Sequence, residues 1–234
     1  MMLGQIIEEN RGANRHGSCG CGIQETRLRY MNTSWALHWG ELNQLSEMGF
    51  RNYCRNIIEK YIPSRLKEIQ MEAGEKWLTL LHDEGVLLTA WRDLQEMIEN
   101  TESSSDWIQL GSQYSALIFE AGQGLALDQD NAKDFPHLTP SHTTSMISAQ
   151  RIAALPASIQ TEILYVTRSY LTRHGAGSLP TECPREKINP AIEDQTNIPN
   201  PHQQFLRYGF FDGQAVSSTE NCTSNELSLF SFSA

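Results

Sequence analysis

Residues 163–177, which read ILYVTRSYLTRHGAG, decide the fold class that the sequence predicts. The first nine residues form an apolar, β-branched and aromatic run of the kind that makes buried strands, and a glycine-rich turn follows them. A second apolar run, ALIF at residues 116–119, also leads into a glycine-rich turn. In α/β proteins, strands that end in such turns place ligands at the carboxyl edge of the sheet. The sequence therefore predicts an α/β fold in which the two turns share one site.

The part of the chain before these strands has a helical pattern. Apolar residues recur three or four apart over residues 39–69 and again over residues 75–99, which predicts two helical stretches that pack through one face. Pro63 is expected to break or restart the first of them. Residues 178–204 are rich in Pro, Asn and Gln and lack periodicity, which predicts a long surface loop. We therefore expect a helical part at 30–105 and a part with the sheet and active-site loops at 106–234.

The amino-acid composition restricts the classes of molecule that the chain could bind. The chain has 234 residues, of which 28 are acidic and 18 basic, so its net charge is −10. That balance argues against binding a nucleic-acid polymer, although a local basic pocket for a phosphorylated small molecule remains compatible with it. No apolar run is long enough to span a bilayer. The five cysteines form an odd set without a signal-peptide pattern before them, so we expect reduced thiols and a cytoplasmic location.

A glycine-rich loop, RHGSCGCGI, occupies residues 15–23. Its backbone amides, with the Ser18 hydroxyl and Arg15, could hold a phosphate, although it lacks the Gly-Lys-Ser/Thr ending of a Walker loop. Two alternatives stay open. The segment could be a flexible turn, or His16, Cys19 and Cys21 could bind zinc, for which a Cys-x-Cys pair is a weak signal.

Polar side chains follow the predicted strand at 116–119, in residues 120–144. Gln123 carries an amide that can both donate to and accept from a purine edge, and the hydroxyl of Thr139 suits a phosphate. Asp128 and Asp130 are more typical of turn formers than of catalytic acids.

Two further residues are candidates for a functional role. One follows the predicted strand at 163–171, and the other follows the long loop. His174 is either structural or an acid/base group. Arg207 is the only Lys or Arg between residue 191 and the end of the chain, which makes it a reasonable anion ligand.

The residues of these segments and their order along the chain together resemble the adenylosuccinate synthetase family. Residues 16–23 are similar to its Ile-Gly-Thr-Thr-Gly-x-Gly-Ile-Gly segment, and 119–144 to Phe-Glu-Gly-Ala-Gln-Gly with the Leu-Asp-x-Asp and Thr-Thr that follow. Residues 172–182, TRHGAGSLPTE, are similar to Thr-Arg-Val-Gly-Ala-Gly-Pro-Phe-Pro-Thr-Glu, and 207–212 to Arg-Thr-Gly-Trp-Phe/Leu-Asp. The resemblance implies part of a P-loop-NTPase-like α/β fold, with central sheet strands and a mainly helical insertion.

The resemblance also implies a ligase of purine nucleotide biosynthesis. In the family, GTP with Mg²⁺ phosphorylates the 6-oxygen of IMP, and L-aspartate then displaces that phosphate to give adenylosuccinate. The family is dimeric with shared sites, so a homodimer is expected. Its partners are IMP or a related purine monophosphate, L-aspartate, and GTP or ATP. The positions that correspond to IMP contacts are Ser18, Cys19, Gln123 and Thr139. Those of the aspartate loop and triphosphate contacts are Phe205, Leu206 and Arg207, with Arg27, Arg29 and Arg173 as further candidates.

Two family segments do not occur in this sequence. The Gly-Asp-Glu-Gly-Lys-Gly-Lys loop, which supplies a catalytic Asp and a Mg²⁺ ligand, is absent, and so is the guanine-binding Lys-x-Asp segment. We therefore expect a central fragment with no catalytic residues, no metal ligands and no turnover alone. Departures at Cys19, Cys21 and Gln24 also resemble the phage-type branch that makes 2-aminoadenylosuccinate from dGMP and aspartate. A non-catalytic nucleotide-binding or dimerising remnant is the other alternative.

Overall fold

The computed structural model describes residues 1–18, 20–32, 34–101, 107–120, 122–145, 148, 152–153, 155, 160–194, 197, 199, 203, 205–213 and 228–231. The chain forms two compact units. The first, here the helical unit, comprises Met1–Arg15 and Gly20–Trp107. The second, here the loop unit, comprises His16–Cys19 and Ile108–Ala234.

Short helices build the helical unit. They are α1 (Met2–Asn10), α2 (Ile23–Met31), α3 (Trp39–Leu42), α4 (Glu47–Asn56), α5 (Ile62–Glu68), α6 (Glu75–Leu81) and α7 (Glu84–Glu99), with a 3₁₀ turn at Gly12–Asn14 and a π-helical turn at Ile57–Tyr61. Helix α8 (Trp107–Gly111) follows. None of the helices within the described ranges is long and apolar enough to cross a membrane.

The core of the helical unit gathers apolar side chains from α1, the π-helical turn, α5 and α6. Ile6 is fully buried at its centre. At one edge of this core, the Trp77 indole N–H donates to Glu9 Oε2 at 2.6 Å and so joins α6 to α1. Arg65 of α5 forms a two-point ion pair with Glu25 of α2, at 3.0 Å (Nε to Oε2) and 3.2 Å (Nη2 to Oε1). The hydrogen bonds that Arg65 donates to Glu25 raise the pKa of Arg65.

Two predicted helical stretches are helical, but each is divided. Residues 75–99 form α6 and α7, because the Asp83 carboxylate accepts the Gly85 N–H at 2.7 Å and starts a new helix. Pro63 lies in the first turn of α5, directly after the π-helical turn, so the α-helical hydrogen-bond pattern restarts there while Tyr61 and Ile62 keep helical backbone angles. Helix α1 has no counterpart in the sequence prediction.

The loop unit contains short strands: β1 (Leu164–Thr167), β2 (Tyr170–Arg173), β3 (Arg207–Phe210) and β4 (Ser228–Ser231). β1 pairs in parallel with β4, and β2 pairs antiparallel with β3, so that Arg173 stands opposite Arg207. The predicted single strand at 163–171 is therefore two strands in two different sheets. Helix α9 (Arg185–Ile188) and 3₁₀ turns at Leu125–Leu127 and Ala132–Asp134 complete the described elements.

The predicted strand at 116–119 is wrong. These residues are irregular and exposed, and Ile118 is 92% exposed. A strand needs a neighbour to accept its hydrogen bonds, and no ladder forms on this segment within the described ranges. The predicted loop at 178–204 is irregular where it is described, apart from α9 and a bridge between Glu182 and Gly209. The α/β class is thus confirmed at the level of helices with small sheets.

Candidate functional site

Two glycine-rich segments of the loop unit touch through their backbones. Gly17 and Gly175 both have left-handed φ angles, +68° and +69°. A Cβ on Gly17 would lie 2.6 Å from the Gly175 Cα, and a Cβ on Gly175 would collide with the Gly17 carbonyl oxygen. The Ala176 N–H donates to the His16 carbonyl at 3.2 Å. Both positions therefore require glycine, for the φ angle and for the close approach.

Arg173, the last residue of β2, connects this contact to the segment around His137. It is 8% exposed, and its Nη2 donates to the His137 carbonyl at 2.8 Å while its Nε donates to the Ala176 carbonyl at 3.4 Å. Burial lowers the pKa of Arg173, and the nearby cation Arg207 lowers it further. The imidazole of His137 packs edge-on against that of His16, with ring centroids 5.3 Å apart. Three chain segments thus meet around one buried guanidinium.

Arg207 approaches the same turn from β3. Its Nη1 donates to the carbonyls of Gly175 (3.0 Å) and Gly177 (2.8 Å), and its Nε donates to Glu182 Oε1 at 2.9 Å. The Nη2 group pairs with the other oxygen of Glu182. The hydrogen bonds between Arg207 and Glu182 raise the pKa of Arg207 and lower that of Glu182. Together with Arg173, Arg207 uses all three carbonyls of residues 175–177, which holds the turn in one conformation.

The segment from Gly124 to Thr144 is closed by the buried carboxylate of Asp128. Its oxygens accept the backbone N–H groups of Asp130 (3.0 Å), Thr143 (2.6 Å) and Thr144 (3.3 Å). Burial raises the pKa of Asp128, but the backbone hydrogen bonds outweigh it, so the pKa lies below its usual value. The prediction that Asp128 forms a turn is confirmed, because it accepts the N–H two residues later.

A surface cavity of about 720 Å³ lies beside Arg207. The predicted residues Phe205, Leu206 and Arg207 line it together with Glu182, Arg185 and Asp194. Two cations and two carboxylates on its wall give the cavity charges of both signs.

The structure places the remaining predicted residues in several environments. Ser18 and Gln123 are exposed in the loop unit, and the half-buried Thr139 donates its backbone N–H to the Leu127 carbonyl at 2.8 Å. Arg27 and Arg29 lie on α2 in the helical unit. Cys19 lies outside the described residues, so the structure does not test a zinc site with His16 and Cys21 or the Cys19 contact to IMP.

Sequence reasoning missed two residues of this arrangement. His137 contributes its carbonyl and its ring, for which the sequence carries no signal, because both contacts are long-range. Glu182 neutralises Arg207, and a carboxylate at the end of the same turn segment was a signal that could have indicated the pair.

Glycine loops with left-handed turns and fixed guanidinium groups are typical of proteins that bind phosphorylated small molecules. The family model of adenylosuccinate synthetase matches residues 1–231 of the chain. The chain belongs to this family, whose curated members carry the name of a ligase.

Among the curated relatives are adenylosuccinate synthetases from three bacteria. That of Teredinibacter turnerae is 30% identical over 181 residues, which cover 77% of this chain and 39% of that protein. That of Wigglesworthia glossinidia brevipalpis is 35% identical over 172 residues, 71% of this chain and 37% of that protein. That of Wolbachia pipientis subsp. Culex pipiens is 29% identical over 222 residues, which cover 91% of this chain and 47% of that protein. The chain thus spans less than half the length of these relatives.

Proposed function

We propose that the chain acts in purine nucleotide biosynthesis, as part of a ligase that joins IMP and L-aspartate with hydrolysis of GTP to give adenylosuccinate. The observation that supports this most is the meeting of His16–Gly17, His137 and the 173–177 turn around Arg173. Each of these segments belongs to a stretch that resembles the family. Their convergence in one unit is what a shared nucleotide site requires.

In this proposal, the IMP phosphate lies near Ser18, Cys19 and Thr139, and Gln123 recognises the purine edge. Hydroxyls and left-handed glycine turns suit phosphate oxygens. Arg173 acts as a positioning residue, since two of its N–H donors hold the carbonyls of His137 and Ala176 and so align these two segments.

Arg207 has to exchange an existing contact before it can bind a triphosphate through two N–H groups. Its guanidinium already pairs with Glu182 and two carbonyls, so a phosphate that binds through two of its N–H groups has to displace the Glu182 carboxylate. Phe205 and Leu206 line the cavity next to it, where the proposal places L-aspartate.

The described residues do not fit the Mg²⁺ and GTP that the family uses. Of the carboxylates described above, Glu182 is paired with Arg207, and Asp128 stands beside the imidazole of His142, a ligand that Mg²⁺ disfavours. The glycine loop that supplies the family's catalytic Asp is absent from the 234 residues. We therefore expect this chain alone to bind a nucleotide monophosphate without turnover.

The finer parts of the assignment are also proposals. They comprise the P-loop-NTPase-like fold, the helical insertion at 30–105 with the site region at 106–234, and a homodimer in which Arg27 or Arg29 reaches the partner's nucleotide. We also propose a cytoplasmic location, with which the free thiols of Cys54 and Cys183 are compatible.

Calorimetric titration of the full 234-residue chain with IMP tests the proposal. We expect binding that weakens at least about tenfold in Thr139→Val, which removes one hydroxyl hydrogen bond to phosphate at little change in shape. Thr79→Val, on α6 of the helical unit, is the matched control and should bind like the parent chain. Preference for dGMP would instead favour the phage-type branch. No binding of either nucleotide would overturn the proposal, and adenylosuccinate formation by the chain alone would refute the expectation of no turnover.

A further inference from the structure

Three potential metal-ligating side chains meet in the loop unit, on the closed segment from Gly124 to Thr144. Asp128, Asp130 and His142 each offer one ligand atom, and these atoms lie within 4.8 Å of one another. Asp128 and Asp130 follow the 3₁₀ turn at Leu125–Leu127. His142 is brought opposite them because its neighbour Thr143 donates its backbone N–H to Asp128 at 2.6 Å.

The distances between these atoms are those of ligands around a small cation. His142 Nδ1 lies 3.5 Å from Asp128 Oδ1 and 3.3 Å from Asp130 Oδ2. A charge-assisted N–H···O⁻ hydrogen bond closes to about 2.7–2.9 Å. Two ligands of a tetrahedral Zn²⁺ with bonds of about 2.0–2.1 Å are about 3.3–3.4 Å apart. The observed spacings match the second geometry better than the first.

The ring nitrogen that faces the carboxylates is shielded from solvent. Within the described part of the chain, His142 Nδ1 forms ion pairs with Asp128 and Asp130 but no hydrogen bond of ordinary geometry. When the ring proton lies on Nε2, the Nδ1 lone pair is turned toward two carboxylates and is repelled by them unless a positive charge lies between. A cation there would satisfy the nitrogen and both oxygens at once.

The other ring nitrogen has the partner that a metal-binding histidine needs. The side-chain nitrogen of Gln129 lies 3.1 Å from His142 Nε2, an orientation in which Nε2 accepts and the ring proton lies on Nδ1. The two ends of a carboxamide have nearly the same shape, so Gln129 can turn its oxygen toward Nε2 and accept a hydrogen bond from it. That bond places the ring proton on Nε2 and leaves Nδ1 free to bind a metal.

The two carboxylates have complementary surroundings. Asp128 is buried and fixed by backbone N–H groups, and its Oδ1 accepts one of them, which leaves one lone pair for a ligand bond. Asp130 is 66% exposed at its side chain, so the site opens to water on that side. A fourth ligand can therefore come from solvent.

We propose that Asp128, Asp130 and His142 bind a divalent transition-metal cation, for which Zn²⁺ is the best fit, with water in the fourth position. The imidazole nitrogen disfavours Mg²⁺ and Ca²⁺, which take oxygen ligands. The cation would fasten the turn at 128–130 to residues 142–144. This inference does not depend on the proposed ligase activity.

Titration of the full chain with Zn²⁺ by calorimetry, and with Co²⁺ followed by its visible d–d absorption, tests the site. We expect one equivalent of the cation to bind, with a Co²⁺ spectrum typical of tetrahedral coordination. The affinity for the cation should be at least about tenfold weaker in Asp130→Asn and in His142→Gln. Asp130 is largely exposed, so its variant should keep the fold, which far-UV circular dichroism checks. His82→Gln removes an exposed histidine of the helical unit and is the matched control.

Three results would overturn the proposal. One is no binding of either cation to the parent chain, and another is unchanged affinity in both site variants. The third is loss of binding in Cys21→Ser with retention in Asp130→Asn, which would place the cation at the cysteine loop instead. Competition by a hundredfold excess of Mg²⁺ should leave the Co²⁺ spectrum unchanged.

Discussion

Replacing Gly175 by alanine should disrupt the contact between the two glycine-rich segments of the loop unit. Gly175 has a φ angle of +69°, and its missing Cβ leaves room for the carbonyl of Gly17. A left-handed conformation costs a residue with a Cβ about 1–2 kcal/mol. The collision with a backbone oxygen adds about 1–3 kcal/mol, because a main-chain atom cannot rotate away. We therefore expect Gly175→Ala to lower the free energy of unfolding of the loop unit by about 2–5 kcal/mol.

The assay has to separate the two units. All five tryptophans lie in the helical unit, so their fluorescence reports on that unit and not on the turn. Hydrogen–deuterium exchange of the peptide that contains residues 170–177 follows the loop unit directly. The exchange of this peptide should become at least about thirtyfold faster, which corresponds to about 2 kcal/mol.

Two control variants make the result interpretable. Gly122→Ala adds a Cβ in open space at an ordinary backbone conformation, so it should change stability by less than about 0.5 kcal/mol. Gly12→Ala has a left-handed φ of +56° with nothing within 4 Å, and so measures the conformational cost without a collision. If Gly175→Ala behaves like Gly122→Ala, the close approach of Gly17 and Gly175 does not exist in solution.

Three further predictions concern stability. Ile6→Ala should cost about 3–5 kcal/mol in the urea unfolding of the helical unit by tryptophan fluorescence, because the side chain is fully buried, and a cost below about 1 kcal/mol would contradict the described core. Glu25→Gln should cost about 1–3 kcal/mol in the same measurement, since it leaves the Arg65 cation half-paired in a mostly buried place; an unchanged midpoint would argue against the pair. The pKa of Asp128 is lowered in the folded chain, so its contribution is present above the usual aspartate range and is lost as the pH falls below about 4. The loop unit of the parent chain should therefore lose stability more steeply between pH 6 and 3 than Asp128→Asn, and parallel pH profiles would disprove this.

Helices followed from the sequence because their pattern is local. The spacing of apolar residues over 39–69 and 75–99 predicts the helical regions, and only the divisions at Asp83 and at the π-helical turn needed the structure. The prediction of a strand at 116–119 was wrong because a strand depends on residues distant in the chain. An apolar run such as ALIF indicates what a segment could do in a sheet, but whether a partner strand is present is a property of the rest of the chain.

The candidate site shows the same limit. The glycine turn at 173–177 and the anchoring role of Asp128 were accessible from local sequence. The contacts that assemble the site join residues 16 to 176 and 173 to 137, and no local pattern specifies such pairings. The resemblance to the family placed these segments in one site, whereas the hydrogen bonds between them come from the structure alone.

The assignment of His16–Cys19 to the loop unit has a consequence for dissecting the protein. These four residues are flanked on both sides by chain of the helical unit, so a cut after Trp107 would separate them from residues 108–234. A recombinant piece that begins at Ile108 would lack the Gly17 backbone that meets the Gly175 turn and the His16 carbonyl that accepts from Ala176. The two units are therefore interlaced along the chain and are not interchangeable modules, and a complementing peptide that carries residues 16–19 would be needed to restore the turn.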